Sequence, residues 1–359
     1  MNDLPIRDDL RGEQPYGAPQ LDVPVLLNVN ENPYAPSAAL ADAAADAVRE
    51  AVLGLNRYPD REAWDLRSDL AGYLERESVV SLGTEQVWAA NGSNEIMMQI
   101  LQAFGGPGRS VLSFAPTYSM YPEYARNTST TWITAPRRDD FTIDAEAAVA
   151  AVATHRPAVV FIASPNNPTG TAVSLDLVRA LHDATPGMVV VDEAYAEFRR
   201  DGTPSALSLL ATHPRLLVTR TMSKAFALAG ARLGYAAASR AVIDVLRVVR
   251  LPYHLSAVTQ AVARTALAYA DELQQRVAQL RVIRDDLASW LRSLGLDVPE
   301  SDANFVLFGR FPDRHAGWQA LLDHGVLIRE TGPDGWLRVT VGTPTETETF
   351  KQALRKVLE

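Results

Sequence analysis

Cysteine is absent from the 359 residues, which excludes a disulfide framework and any thiolate metal site and suits a reducing compartment. No stretch reaches the ~18 apolar residues that a membrane-spanning helix needs, and Met1–Asp9 lacks the apolar core of a secretory signal. The expectation is a cytoplasmic protein with no membrane partner. Positive charge is also scarce, with 34 Lys and Arg against 43 Asp and Glu and a net charge of −9. No basic cluster of the kind that binds phosphate backbones occurs, so nucleic acid is not expected as a partner. A G-x-x-x-x-G-K-[ST] phosphate loop is missing, as are internal repeats and low-complexity tracts.

What is present is an ordinary globular composition, 47% hydrophobic, long enough for one large or two unequal domains. From Thr84 to about Tyr235, short apolar runs alternate with helical stretches, the pattern of an α/β fold with a mainly parallel sheet. The strand candidates are Gln86–Ala90, Ser110–Phe114, Thr131–Thr134, Ala158–Ile162, Met188–Val191, Leu216–Thr219 and Gly234–Ala237. They predict a seven-stranded sheet flanked by helices. Leu255–Leu294 has long helical periodicity and reads as a bridge between domains. Phe305–Phe308, Val326–Arg329 and Trp336–Val341 are further strand candidates, followed by a helix from Thr345, and they suggest a smaller α+β domain. Pro5, Pro15, Pro19, Pro24, Pro33 and Pro36 oppose regular helix and predict an extended N-terminal arm that leans on something larger. The division expected is residues 1–44 for the arm and part of the small domain, 45–254 for the large domain and 255–359 for the small C-terminal domain.

Several of the large-domain runs end in polar or turn-forming residues. Ligands of open α/β sheets bind beyond the strand C-termini, so these ends should converge on one site. Val189-Val190-Val191-Asp192-Glu193 delivers two acids to such an end. A carboxylate there can serve Mg²⁺ or pair with a heterocyclic nitrogen, and the missing phosphate loop favours the heterocycle. Ser223-Lys224 also follows an apolar run, with Arg232 shortly beyond. A lysine in a loop is ordinarily an idle surface amine. In a desolvated, cation-rich pocket, however, it loses its proton readily and can condense with a carbonyl, while Arg232 binds an anion. Asn91-Gly92-Ser93-Asn94-Glu95 opens the apolar helical stretch Ile96–Phe104, and is either a plain N-cap or an anion site at a helix N-terminus. Ser164-Pro165-Asn166-Asn167-Pro168-Thr169-Gly170 is a rigid turn whose asparagine can donate to an oxyanion.

Taken in order, NGSNE, SPNNPTG, DEAY and SKAFALAGAR resemble the fold-type-I aminotransferases, which use pyridoxal 5'-phosphate. More narrowly, NVNENPY at Asn28–Tyr34, RYPD at Arg57–Asp60, SKAFALAG from Ser223 and PYGAP at Pro15–Pro19 resemble the histidinol-phosphate aminotransferase family. The resemblance implies that Lys224 holds the cofactor aldehyde as a Schiff base and moves the substrate proton. It implies that Asp192 faces the pyridine nitrogen, Tyr195 and Asn167 the phenolic oxygen, and Tyr118 the ring face. Ser93, Asn94, Thr221, Ser223 and Arg232 would hold the phosphate. Tyr58 would reach the phosphate of the neighbouring subunit, which implies a homodimer with shared active sites. Arg338 would take the glutamate carboxylate and an anionic or polar part of the other substrate, with Tyr34 and Arg329 as further substrate-side residues. Two departures stand out: Asn94 where members often carry Asp, and Ala231 where they often carry Leu.

The reaction implied is reversible amino transfer between histidinol phosphate and 2-oxoglutarate, in histidine biosynthesis. Three other readings compete with it. They are an aromatic amino-acid aminotransferase, a lyase similar to threonine-phosphate decarboxylase, and a non-enzymatic cofactor-sensing module. The last would need a DNA-binding segment for which no room exists before Asn30.

Overall fold

A computed structural model describes residues 4–359. Residues 4–24 run without strand or α-helix, apart from a 3₁₀ turn at Asp8–Leu10, to β1 (Val25–Leu26), and helices α1 (Ala38–Leu53) and α2 (Trp64–Ser78) follow. The main alternation is β2 (Val87–Ala90), α3 (Ser93–Phe104), β3 (Ser110–Ala115), α4 (Tyr121–Asn127), β4 (Thr131–Pro136) and α5 (Ala145–His155). It continues through β5 (Val159–Ala163), α6 (Leu175–Ala184), β6 (Met188–Asp192), β7 (Leu216–Thr221), β8 (Gly234–Ala238) and α7 (Arg240–Val249). After α8 (Ala257–Ala268) and α9 (Ala270–Ser293) come β9 (Phe305–Phe308), α10 (Arg314–Asp323), β10 (Val326–Leu327), β11 (Arg329–Glu330), β12 (Leu337–Thr340) and α11 (Pro344–Leu358).

Seven strands form one sheet in the order β2-β8-β7-β6-β5-β3-β4, in which β8 alone runs antiparallel to its neighbours. Each of the seven coincides with an expected run. These strands are covered on both faces, so their sequences read as unbroken apolar runs, and successive residues feed opposite cores. Leu112, Val160, Val189 and Val218 join the core shared with α2, α5, α6, α8 and α9. Val111, Val159, Val190 and Leu217 join the core shared with α3, α4 and α7.

Two smaller sheets, β11-β12-β9 antiparallel and β1-β10 parallel, share a third core with α9, α10 and α11. The Val326–Arg329 run therefore divides: its first half pairs with the N-terminal arm and its end with β12. The periodicity of Leu255–Leu294 likewise contains a break, at Tyr269 between α8 and α9. The apolar period carries across that break, so periodicity alone does not mark it. The boundary expected at residues 44 and 45 falls within α1, which runs unbroken from its Ser37 cap. The arm leans on its own chain: Arg126 of α4 pairs with Glu13 at 2.6 Å, and Tyr16 meets Ser119 at 2.9 Å.

Alternation along β7 points Arg220 away from Thr219 and Thr221. Its guanidinium, 1% exposed, contacts Glu193 at 2.8 Å, Glu77 at 3.2 Å and Glu197 at 3.3 Å. Removing one member of such a buried ion cluster strands its partners. Arg220→Leu is expected to lower unfolding free energy by about 3–5 kcal/mol, measured by urea denaturation, with a loss under 1 kcal/mol contradicting the cluster's importance.

Candidate active site

The C-terminal ends of the parallel strands, together with residues 28–31 and the β11–β12 hairpin, enclose a cavity of about 270 Å³. Every residue to which the resemblance gives a cofactor or substrate role lines it except Tyr34 and Tyr58. Tyr34 lies beneath Arg276, 5.0 Å from its guanidinium, against the core. Tyr58 is 79% exposed and stacks on Tyr253 at 4.3 Å.

One end of the cavity is an anion cradle. Gly92 precedes α3 with φ +81°, and no side chain caps the Ser93 and Asn94 end of that helix. Ser93 and Asn94 line the cavity there, at the positive end of the helix dipole. A Cβ on Gly92 would lie 2.6 Å from the Arg232 guanidinium, so glycine here allows the cation to approach the turn. Gly234 permits a similar approach from β8, since its Cβ would fall 2.1 Å from the Ser93 nitrogen. Thr221 and Ser223 add hydroxyls 3.0 Å apart, and Arg232 reaches Ser223 at 3.4 Å. Glu95 is turned back on the Asn91 amide at 2.6 Å, which keeps its negative charge engaged outside the cradle.

Lys224 stands between this cradle and the opposite wall. Its Nζ donates to the Val29 carbonyl at 2.9 Å. Desolvation, reinforced by Arg338 and Arg232 and opposed by Glu31, lowers its pKa from 10.5 to about 8. An amine in this state is a competent nucleophile and proton carrier near neutral pH. The chain has only two other lysines, Lys351 and Lys356, both on α11 and neither lining the cavity.

Asp192 ends β6 and is 7% exposed. Burial raises its pKa, while hydrogen bonds from Tyr121 and Thr219 work against that rise. A buried carboxylate without a cationic partner suits a ligand that brings a positive charge. Tyr195, with its phenol raised by burial, accepts from Asn30 Nδ2 at 2.9 Å.

On the far wall, Arg338 donates to Asn167 Oδ1 at 2.5 Å and to the Asn28 carbonyl at 2.8 Å, while its Nε has no partner. Desolvation lowers its pKa to about 10. A buried guanidinium with an unpartnered N–H and a second arginine, Arg329, beside the same cavity can receive a carboxylate or phosphate. Sequence reasoning missed the segment that binds these parts together. Asn28 and Val29 hold Arg338 and Lys224 through backbone oxygens, and Asn30, at φ +57°, links Tyr195 to Thr340. The asparagines of the NVNENPY motif carried the only hint. Tyr16, from the arm, also reaches the cavity.

An anion cradle, a lysine of lowered pKa and a buried carboxylate line one crevice at the sheet's C-terminal edge, as expected of an enzyme that binds a phosphorylated carbonyl heterocycle. Consistently, the chain belongs to the aminotransferase class I and II family, whose profile it matches over residues 23–357. It is 65% identical to a histidinol-phosphate aminotransferase of Thermobifida fusca, over 99% of this chain and 95% of that protein. Identity is 56% to histidinol-phosphate aminotransferase 3 of Burkholderia lata, over 100% and 97%. The histidinol-phosphate aminotransferase of Sinorhizobium meliloti, solved in complex with pyridoxal-5'-phosphate, superposes with TM-score 0.83 at 25% identity, covering 94% of this chain and 91% of that one.

The reactivity of Lys224 tests the electrostatics directly. In the ligand-free protein, its acylation rate, followed by peptide mapping, should rise through a midpoint of about pH 8. Arg338→Gln removes a neighbouring positive charge and should move that midpoint up, whereas Glu31→Gln should move it down. A midpoint near 10.5 in the unsubstituted chain would refute the desolvated pocket.

Proposed function

We propose that this chain is a pyridoxal-phosphate-dependent aminotransferase that moves an amino group reversibly between histidinol phosphate and 2-oxoglutarate. The observation that carries the reading is the placement of Lys224, with its lowered pKa, between the Gly92–Arg232 cradle and the buried Asp192 carboxylate. The choice of substrate rests on identity of 65% over nearly the whole chain to a protein of that name.

Pyridoxal phosphate, when bound, supplies the carbonyl that takes up the amino group and the ring that accepts the electron pair released at the substrate Cα. The chain's own residues do the rest. Lys224 Nζ would hold the cofactor at its carbonyl carbon and would carry the proton to and from the substrate Cα. Ser93, Asn94, Thr221, Ser223 and Arg232 would bind the phosphate, with the forked guanidinium matched to its oxygens. Asp192 would face the ring nitrogen and favour its protonated form. Tyr195 and the Asn167 amide would face the phenolic oxygen, and Tyr118 the ring. Arg338, supported by Arg329, would receive the carboxylate of glutamate and an anionic or polar part of the other substrate.

In this reading the large domain around the seven-stranded sheet bears the cofactor, completed by the arm and by the smaller C-terminal domain, and the enzyme works in the cytoplasm as a homodimer. Tyr58, exposed and outside its own cavity, is the residue offered to the partner's cofactor phosphate. Among the described residues no helix is long and apolar enough to cross a membrane.

Borohydride reduction of the cofactor-loaded protein should fix the label on Lys224 and spare Lys351 and Lys356. Lys224→Ala should abolish conversion of histidinol phosphate. Arg338→Gln should lower kcat/KM for glutamate by about 10- to 100-fold, as for loss of a charged hydrogen bond. A kcat/KM for phenylalanine above that for histidinol phosphate would overturn the substrate choice and leave the cofactor chemistry intact. Shared sites are tested by mixing Lys224→Ala with Tyr58→Ala chains. Hybrid dimers then contain one site with both native residues, and activity should exceed that of either variant alone.

A further inference from the structure

Asp192 receives no ion pair from any described residue, although it is buried at the cavity floor. Its two oxygens are instead held from two different elements. Tyr121, the first residue of α4, donates its phenolic O–H to Oδ2 at 3.0 Å, and Thr219 of β7 donates Oγ1–H to Oδ1 at 3.0 Å. Tyr121 is 0% exposed and wedged against Phe161 at 4.9 Å and Tyr118 at 5.5 Å, so its hydroxyl cannot swing toward water. Thr219 is 0% exposed as well. The other titratable groups facing Asp192 are Tyr118 and Tyr124 from the α4 side, with Glu193 and Tyr195 from its own strand end. Not one of them is a cation.

We infer that Tyr121 and Thr219 are positioning residues whose hydroxyls keep the Asp192 carboxylate ionised and aimed into the cavity, so that the proton shared with a bound heterocycle resides on the ring nitrogen. The inference rests on the reading of Asp192 as the ring-nitrogen partner. Two fixed donors lower the energy of the carboxylate but not that of the neutral acid, whose protonated oxygen would have to face one of them. Buried hydroxyls serve this purpose better than a cation would, because an arginine at Oδ would compete for the charge that the ligand must meet. Desolvation holds the Tyr121 phenol well above its ordinary range, so it remains a donor at every working pH.

The test uses the holoenzyme loaded with ring-¹⁵N pyridoxal phosphate, whose nitrogen shift reports its proton. Tyr121→Phe removes one oxygen and keeps the ring. It is expected to raise the proton affinity of the carboxylate, so that at neutral pH part of the shared proton moves from the ring nitrogen to Asp192 and the ¹⁵N signal shifts toward the unprotonated value, and to lower kcat about tenfold with KM changed less than about twofold, the scale of one buried hydrogen bond to a charge. Thr219→Val should act in the same direction and Thr219→Ser should restore the native titration, a pattern that also decides the matter should the phenylalanine variant fold poorly. Native titration in both Tyr121→Phe and Thr219→Val overturns the inference. Asp192→Asn separates it from its premise. If that variant leaves the nitrogen signal unchanged, the assignment of Asp192 fails; if it alone shifts the signal, only the role of the two hydroxyls fails.

Discussion

Strands β6 and β7 lie in parallel register with Asp192 opposite Thr219, and a slip of one residue would turn every side chain to the other face. The register does several things at once. It aims Thr219 at the Asp192 carboxylate, sends Arg220 down into the ion cluster beneath the sheet, and sets Thr221 at the strand end with Ser223 and Lys224 just past it. Carboxylate, phosphate hydroxyls and amine are thereby spaced by backbone geometry. Apolar packing on both faces of the sheet, through Val189, Val191, Leu217 and Val218, enforces the register.

A second constraint closes the site from above. Residues 28–31 hydrogen-bond to both parts of the molecule: the Asn30 amide donates to Thr340 Oγ1 at 3.0 Å, and its side chain reaches Tyr195 across the cavity. Because Lys224 and Arg338 are both anchored on carbonyls of this segment, its position governs the distance between the buried amine and the buried guanidinium. A shift of the small unit against the large sheet would therefore be felt at both cations.

The seven central strands were legible because a parallel strand covered on both faces has no polar alternation to blur it. The polar strand ends that follow were legible for a related reason, since polar residues directly after an apolar run have few structural uses. Other features left little trace. Tyr121 and Thr219 look like ordinary core and strand residues, and their hydroxyls acquire meaning only once α4 and β7 are brought against Asp192. Asn30 contacts Tyr195 and Thr340 from 165 and 310 positions away, separations that no local pattern encodes. The break at Tyr269 was hidden because α8 and α9 share one apolar period. Tyr58 lies outside the cavity of its own chain, and motif resemblance was the only signal that drew attention to it.

The scarcity of lysine has a consequence for fidelity. With three lysines among 34 basic side chains, the surface draws its positive charge almost wholly from arginine, whose guanidinium stays protonated and does not form imines with aldehydes under mild conditions. A free aldehyde diffusing over the folded chain meets very few amines. Lys351 and Lys356 share one helix remote from the cavity, and Lys351 packs its ammonium over Trp290 at 5.4 Å. On the role proposed for Lys224, selectivity for that amine is thus partly a matter of composition: the chain offers an electrophile few other places to be lost.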